Sequence, residues 1–188
     1  MIPEVTTVKN ICSRIKKLKF TMKIAILSDV HDRLTQLKKA LEIMKDADAL
    51  LCCGDLCSPF VIKALGEGFN KPIHVVFGNN DGDLFRITQN SQAFSHIQLH
   101  GELAELELDG VRFGMQHFDN IARLLADSGK FDVMCFGHNH QFEISRSKSC
   151  QLINPGEIYG GLSGHSTAVI YDTSNRIAER IDIPIKPL

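Results

Sequence analysis

The sequence predicts an α/β protein, a four-layer α-β-β-α sandwich of two mixed sheets with helices outside. Three observations carry that reading. The first half alternates short apolar, β-branched runs with segments of helical spacing, the rhythm of parallel strands covered by helices. The second half changes to short strands separated by turn residues, as antiparallel pairs require. The chain has 188 residues, 44% hydrophobic and 23% charged, which is the size and composition of one globular domain.

Taken in order, Lys23–Leu27 is an apolar run that ends in Ser28-Asp29. Leu34, Leu37, Leu41 and Met44 then fall on one stripe of a helix. Ala49–Cys53 is a second apolar run, ending in Gly54-Asp55. Ser58-Pro59 is expected to open a helix, Ser as the cap and Pro in the first turn, that stops near Gly66 or Gly68. Ile73–Phe77 follows as a third run and ends in Gly78-Asn79. Leu103–Leu108 alternates, and Asp109-Gly110 offers a hairpin turn into Val111–Gln116. Ile121–Ala126 reads as a helix and Val133–Phe136 as a buried strand. Phe142–Ser147, Cys150–Ile153, Ser166–Tyr171 and Ile177–Ile183 read as shorter strands.

Residues 1–21 stand apart. No acidic residue occurs between Glu4 and Asp29, while Lys9, Arg14, Lys16, Lys17, Lys19 and Lys23 are basic. The stretch lacks the apolar run of a secretory signal and the Ser and Arg content of a transit peptide. It reads as an N-terminal basic extension, with the domain proper over 22–188. A net charge of −1 without a dominant basic block speaks against extended nucleic acid as a partner. No apolar run is long enough for a membrane span. The six cysteines form no CxxC pair, and several sit in strand-like runs, so they are expected to be reduced thiols in a cytoplasmic protein. The oligomeric state is left open, a homo-oligomer included.

The polar residues carry the functional information. Asp29, Asp55, Asn79 and His138 close buried runs, and His117 follows the strand from Val111. In open α/β sheets a ligand crevice lies beyond the carboxyl ends of the strands. If these strands are neighbours, the groups converge. The stretch Phe136–His140 reads FGHNH, and an extended backbone there would project His138 and His140 to one side. His31, two residues beyond Asp29, completes the set Asp29, His31, Asp55, Asn79, His117, His138 and His140. Singly, each is an ordinary turn former or hydrogen-bonded histidine. Together, carboxylates, one amide oxygen and four imidazoles suit Mn²⁺, Fe, Ni²⁺ or Zn²⁺ better than Ca²⁺ or Mg²⁺. Seven ligands are too many for one ordinary ion but fit two when one carboxylate bridges, and Asp55 is the expected bridge. Arg33 and Asn120 follow ligands and could touch a phosphate, although solvated side chains are the plainer expectation.

In order along the chain, Asp29-Val30-His31, Gly54-Asp55, Gly78-Asn79, His117 and Gly137-His138-Asn139-His140 resemble the motif series of the calcineurin-like metallophosphoesterase superfamily. The resemblance spans Met22 to about Ile183. The short loops and the Asn154-Pro155-Gly156 turn look like its compact bacterial and archaeal phosphodiesterase branch. It implies a metal-dependent phosphodiesterase in which a metal-bridging hydroxide attacks a small phosphodiester or nucleotide-like substrate. It also implies that Asp29, His31, Asp55 and His140 hold one ion and Asp55, Asn79, His117 and His138 the other. Mn²⁺ is the ion expected first. The alternatives are a protein-binding scaffold of the same fold that has lost catalysis, and a phosphomonoesterase. Two positions depart from the family pattern. Asn80 stands where many members carry a proton-donating His, and Phe118 stands where many carry Gly. Asp81, next in line, is a residue that the family uses structurally.

Overall fold

The structure, a computed structural model, describes residues 21–185. The basic extension expected over 1–21 lies outside them except for its last residue, as does Cys12. The described chain runs β1 (Lys23–Leu27), α1 (Leu34–Ile43), β2 (Ala49–Cys52), α2 (Pro59–Gly68), β3 (Ile73–Val75), α3 (Leu84–Ser91), β4 (Ile97–Leu99), β5 (Leu103–Leu108), β6 (Val111–Gln116), α4 (Asp119–Ala126), β7 (Val133–Cys135), β8 (Glu143–Ser147), β9 (Cys150–Asn154), β10 (Ser166–Asp172) and β11 (Ile177–Ile183).

Two mixed sheets result. The six-stranded sheet has the order β11-β10-β1-β2-β3-β4, parallel from β1 to β4 and antiparallel across β1-β10-β11. The five-stranded sheet has the order β5-β6-β7-β9-β8, with β6, β7 and β9 parallel between antiparallel edges.

Strand alternation builds the layers. In β1, Ile24 and Ile26 point between the sheets, where they meet Phe113, Met115, Val133, Cys135 and Ile153 of the second sheet. Ala25 and Leu27 point the other way, into a core with Leu37 and Leu41 of α1, Val61 and Leu65 of α2 and Ile87 of α3. A third, smaller core packs Ala122 and Ala126 of α4 on Met134 and Leu152. Each fully buried aliphatic side chain contributes about 1.5–3 kcal/mol, so β1, buried on both faces after Lys23, is a spine of the molecule.

Sequence patterning did not reveal α3 or β4. Only Ile87 and Ser91 of α3 are buried, and β4 has three residues with none fully buried, so neither carries a clear apolar period. Pro59 opens α2 as expected, but Ser58 makes no capping bond, because its hydroxyl donates to the Asp32 carboxylate instead.

Candidate metal centre

The loops after β1, β2, β3, β6 and β7 leave the same edge of the two sheets, and that edge carries all of the polar residues singled out above. Their backbone is far from extended. Asp29, His31, Asp55, His138 and His140 have φ of 53°, 43°, 55°, 72° and 59°. The left-handed region costs a side-chain-bearing residue about 1–2 kcal/mol. Such strain persists only where surrounding contacts over-determine it, and it gathers at functional sites. Here Asp29 N donates to Gly54 O at 3.1 Å, His31 N to Asp55 O at 3.1 Å and Gly137 N to His117 O at 3.0 Å. The expectation that FGHNH is an extended strand end is therefore corrected. β7 stops at Cys135, and the left-handed bends send His138 and His140 to different neighbours.

His138 Nδ1 lies 2.9 Å from Asn79 Oδ1, and His117 Nε2 lies 3.1 Å from the same oxygen. His140 Nε2 lies 3.5 Å from Asp29 Oδ1, and its ring stacks on that of His31 with centroids 5.0 Å apart. Asp55 sits between the two groups. Its Oδ2 is 3.4 Å from His31 Nε2, and its Oδ1 is 3.4 Å from His117 Nε2. Donor atoms of Asp29, His31 and His140 all lie within 4.8 Å of one another, and so do those of Asp29, Asp55 and His117. The structure thus brings the seven residues to one place, in two groups that meet at Asp29 and Asp55.

Two buried atoms test whether a cation suits the cluster. Asp29 Oδ1 and His31 Nε2 are buried without a hydrogen-bond partner, a costly state for polar groups that a cation would relieve. The charges agree. His31 has a raised pKa, because the Asp29 carboxylate 3.8 Å away and Asp55 favour a positive imidazole more than burial opposes it. Burial works against the proton on His117, yet Asp55 and Asp29 outweigh it and raise that pKa also. Burial alone would raise Asp55, but His117 and Asn80 hold its carboxyl well below the usual range. The buried carboxylates thus favour positive charge at these imidazoles, the same preference that would favour a divalent ion. The donor set of imidazole nitrogens, carboxylates and one amide fits a borderline divalent metal.

Two supporting groups, Glu157 and the Cys53 carbonyl, escaped the sequence reading. Glu157 is fully buried and accepts from His140 Nδ1 at 2.7 Å, leaving Nε2 to face Asp29. Leu162 N and Ser163 N and Oγ also donate to Glu157. Its only sequence signal was an acid directly after the Asn154-Pro155-Gly156 turn. The carbonyl of Cys53 lies 2.8 Å from His117 Nδ1, and no side-chain pattern could have announced a backbone group. Asn80 clamps Asp55, with N to Oδ1 and Nδ2 to Oδ2 both at 2.8 Å. Asp81 ties the loops by accepting from Gly78 N at 2.7 Å, Cys57 N at 2.9 Å and Asp55 N at 3.2 Å. Asn139 bonds to Asn154 and Gln141 N, away from the imidazoles.

Phe118 is half-buried and edge-on to the rings of His138 and His117, at 4.9 and 5.3 Å between centroids. It walls one flank of the centre. Asn120 is exposed and accepts from Ile121 N. Arg33 departs from the solvated side chain that was expected. It is half-buried, with its guanidinium 5.4 Å above the Tyr159 ring.

Comparison with known proteins agrees with this geometry. A profile of the calcineurin-like phosphoesterase superfamily domain matches residues 22–176. A phosphodiesterase of Methanocaldococcus jannaschii is 33% identical over 159 residues, which cover 82% of this chain and 95% of the relative. The solved structure of a novel archaeal phosphodiesterase superposes with a TM-score of 0.81 at 32% identity, over 86% of this chain and 100% of that one. Yfce, a phosphoesterase from E. coli, gives a TM-score of 0.60 at 19% identity over 87% of this chain and 100% of its own, a likeness of fold alone.

Proposed function

The chain belongs to the calcineurin-like phosphoesterase superfamily, and from that premise we propose that it is a metal-dependent phosphodiesterase acting on a small phosphodiester or nucleotide-like substrate. One observation carries the reading most directly. The two carboxylate oxygens of Asp55 face two different imidazoles, His31 and His117, each at 3.4 Å. A residue so placed suits a bridge between two cations. Asp29, His31, Asp55 and His140 would hold one ion, and Asp55, Asn79, His117 and His138 the other. Mn²⁺ is our choice of metal, on the mixed nitrogen and oxygen donor set.

Bound divalent ions supply Lewis-acid stabilisation of phosphoryl charge and lower the pKa of a coordinated water toward about 7. The chain supplies orientation. Glu157 and the Cys53 carbonyl each take the Nδ1 proton of an imidazole, on His140 and His117, so that the Nε2 lone pairs face inward. Asn80 spends its amide on Asp55 and offers no acid to a departing alkoxide. Esters with good leaving groups are therefore the better substrates. We further place residues 1–21 outside the domain, supported by a family match that opens at residue 22. We place the protein in the cytoplasm, since the five cysteines of the described residues are free thiols and four of them are buried. No helix among the described residues is long and apolar enough to cross a membrane.

The test is hydrolysis of bis(p-nitrophenyl) phosphate and of p-nitrophenyl phosphate by protein stripped of metal and reloaded with Mn²⁺. Metal-dependent cleavage of the diester, well above the monoester, is the expected result. Asp55→Ala and His138→Ala should each lose turnover while keeping the native circular dichroism spectrum. Full activity in both variants would refute the assigned centre.

A further inference from the structure

Among the described residues, Arg86, Arg112, Arg123, Arg176 and Arg180 each have a carboxylate within 4.0 Å. Arg33 has none, although it is half-buried while the other unpaired arginine, Arg146, is exposed. Arg33 is thus only partly open to water and has no carboxylate beside it, so its charge is less well compensated than those of the paired arginines. It is also held still. Arg33 Nε donates to the Tyr159 carbonyl at 3.4 Å, and the guanidinium lies over the Tyr159 ring.

Tyr159 in turn is fixed to the metal centre. Its N donates to the Asp29 carbonyl at 3.0 Å, and its ring centroid is 5.5 Å from that of His31. A Cβ on Gly161 would collide with the Tyr159 ring, so the glycine makes room for it. The carboxylates of the cluster face other groups. Asp29 and Asp55 face imidazoles, Glu157 takes His140 and Ser163, and Asp32 takes Ser58. Arg33 is also the N-cap residue of α1, which has no acidic residue in its first turn and no side-chain cap. A cation at that end opposes the helix dipole, whereas an incoming anion would be favoured by both.

We propose that Arg33 is a substrate-binding residue whose guanidinium, seated on Tyr159 at the rim of the metal centre, takes a non-bridging oxygen of the substrate's phosphoryl group. This rests on the phosphodiesterase reading for its substrate. With Nε committed to Tyr159, the terminal nitrogens present the donors that a phosphate accepts. Tyr159 is a positioning residue, acting through its carbonyl and its ring rather than its hydroxyl.

The experiment uses the full chain loaded with Mn²⁺ and inorganic phosphate as the probe, by calorimetry and as an inhibitor of bis(p-nitrophenyl) phosphate hydrolysis. Arg33→Ala should weaken phosphate binding and raise KM by about tenfold or more, the size of a lost charged hydrogen bond. Metal content and melting temperature should match the parent. Arg33→Lys should recover part of the loss, since it restores the charge without the fork. Tyr159→Leu, which removes the ring under the guanidinium, should follow Arg33→Ala in phosphate affinity, and the conservative Tyr159→Phe should recover most of that loss. Unchanged phosphate affinity and KM in Arg33→Ala would overturn the proposal. So would a fall in metal content, which would make Arg33 part of the ion-holding structure, or a parent that binds no phosphate. If the parent binds phosphate but cleaves neither ester, the phosphodiesterase reading fails, while calorimetry on Arg33→Ala still decides the role of Arg33.

Discussion

Glu157 shows what a single residue does behind the centre. It is fully buried, and burial alone would raise its pKa, yet hydrogen bonds from Ser163 and His140 keep it below the ordinary glutamate range. It is thus a carboxylate that fixes which nitrogen of His140 faces Asp29 and the candidate ion site. Loss of such a partner costs about 10–100-fold in metal affinity. Glu157→Gln should show that loss in a competitive chelator titration, while Asn139→Ala, which touches no imidazole, should not. The contrast marks the limit of legibility at this scale. The seven candidate ligands were readable because their residue types are unusual at strand ends. Glu157 and the Cys53 carbonyl were not readable as partners, because only folding brings them from 17 and 64 residues away.

Among the elements, the strand-to-loop corners decide the geometry, and glycines decide the corners. Gly54 has a φ of +99°, and a Cβ there would lie 2.6 Å from His117 Nδ1. At Gly78 the added carbon would strike Asp55 Oδ1, and at Gly137 it would strike Ser28 Oγ and Asp29 Oδ2. Each glycine just before a candidate ligand therefore clears space for a ligand from a different loop, or for its hydrogen-bonding neighbour. The Gly-Asp, Gly-Asn and Gly-His pairs, which singly read as turn dipeptides, are packing requirements between loops. Gly78→Ala is expected to expel most of the metal by displacing Asp55, with a native far-ultraviolet spectrum, as metal analysis of the purified variant would show. Retention of full metal content would sink this account. The same corners explain the error at FGHNH. Strand period describes residues inside a ladder, and His138 and His140 lie beyond the last paired residue of β7, where left-handed turns take over.

For the whole molecule, the consequence is that the candidate metal centre joins the two sheets. Asp29, His31, Asp55 and Asn79 follow strands of the six-stranded sheet, and His117, His138 and His140 follow strands of the five-stranded one. The alternation of strands and helices made the two-sheet architecture legible. The placement of β10 beside β1 was not, since it pairs Lys23 with Asp172 across most of the chain. A cation gripped by both sheets would be bound by the folded state alone, and would stabilise that state by about 2.7 kcal/mol at a hundredfold excess over Kd. For a domain of this size that is a rise of roughly 5–10 °C in melting temperature. The pH dependence should then invert between the two forms. In the metal-free protein His31 and His117 have raised pKa values, so the folded state binds protons more tightly than the unfolded one. Their contribution is complete below the unfolded value of about 6.5 and is lost as pH rises through the folded values. Metal-free protein should therefore melt higher as pH is lowered from about 8 toward 6.5. The metal-loaded protein should melt lower over the same range, because protons displace the ions from the same nitrogens. Below that window the pair His74 and His100, whose pKa values burial depresses, works against the metal-free form. Melting curves at fixed ionic strength, with Mn²⁺ and with chelator, test the inversion. Parallel curves for the two forms would mean that His31 and His117 do not hold the ions.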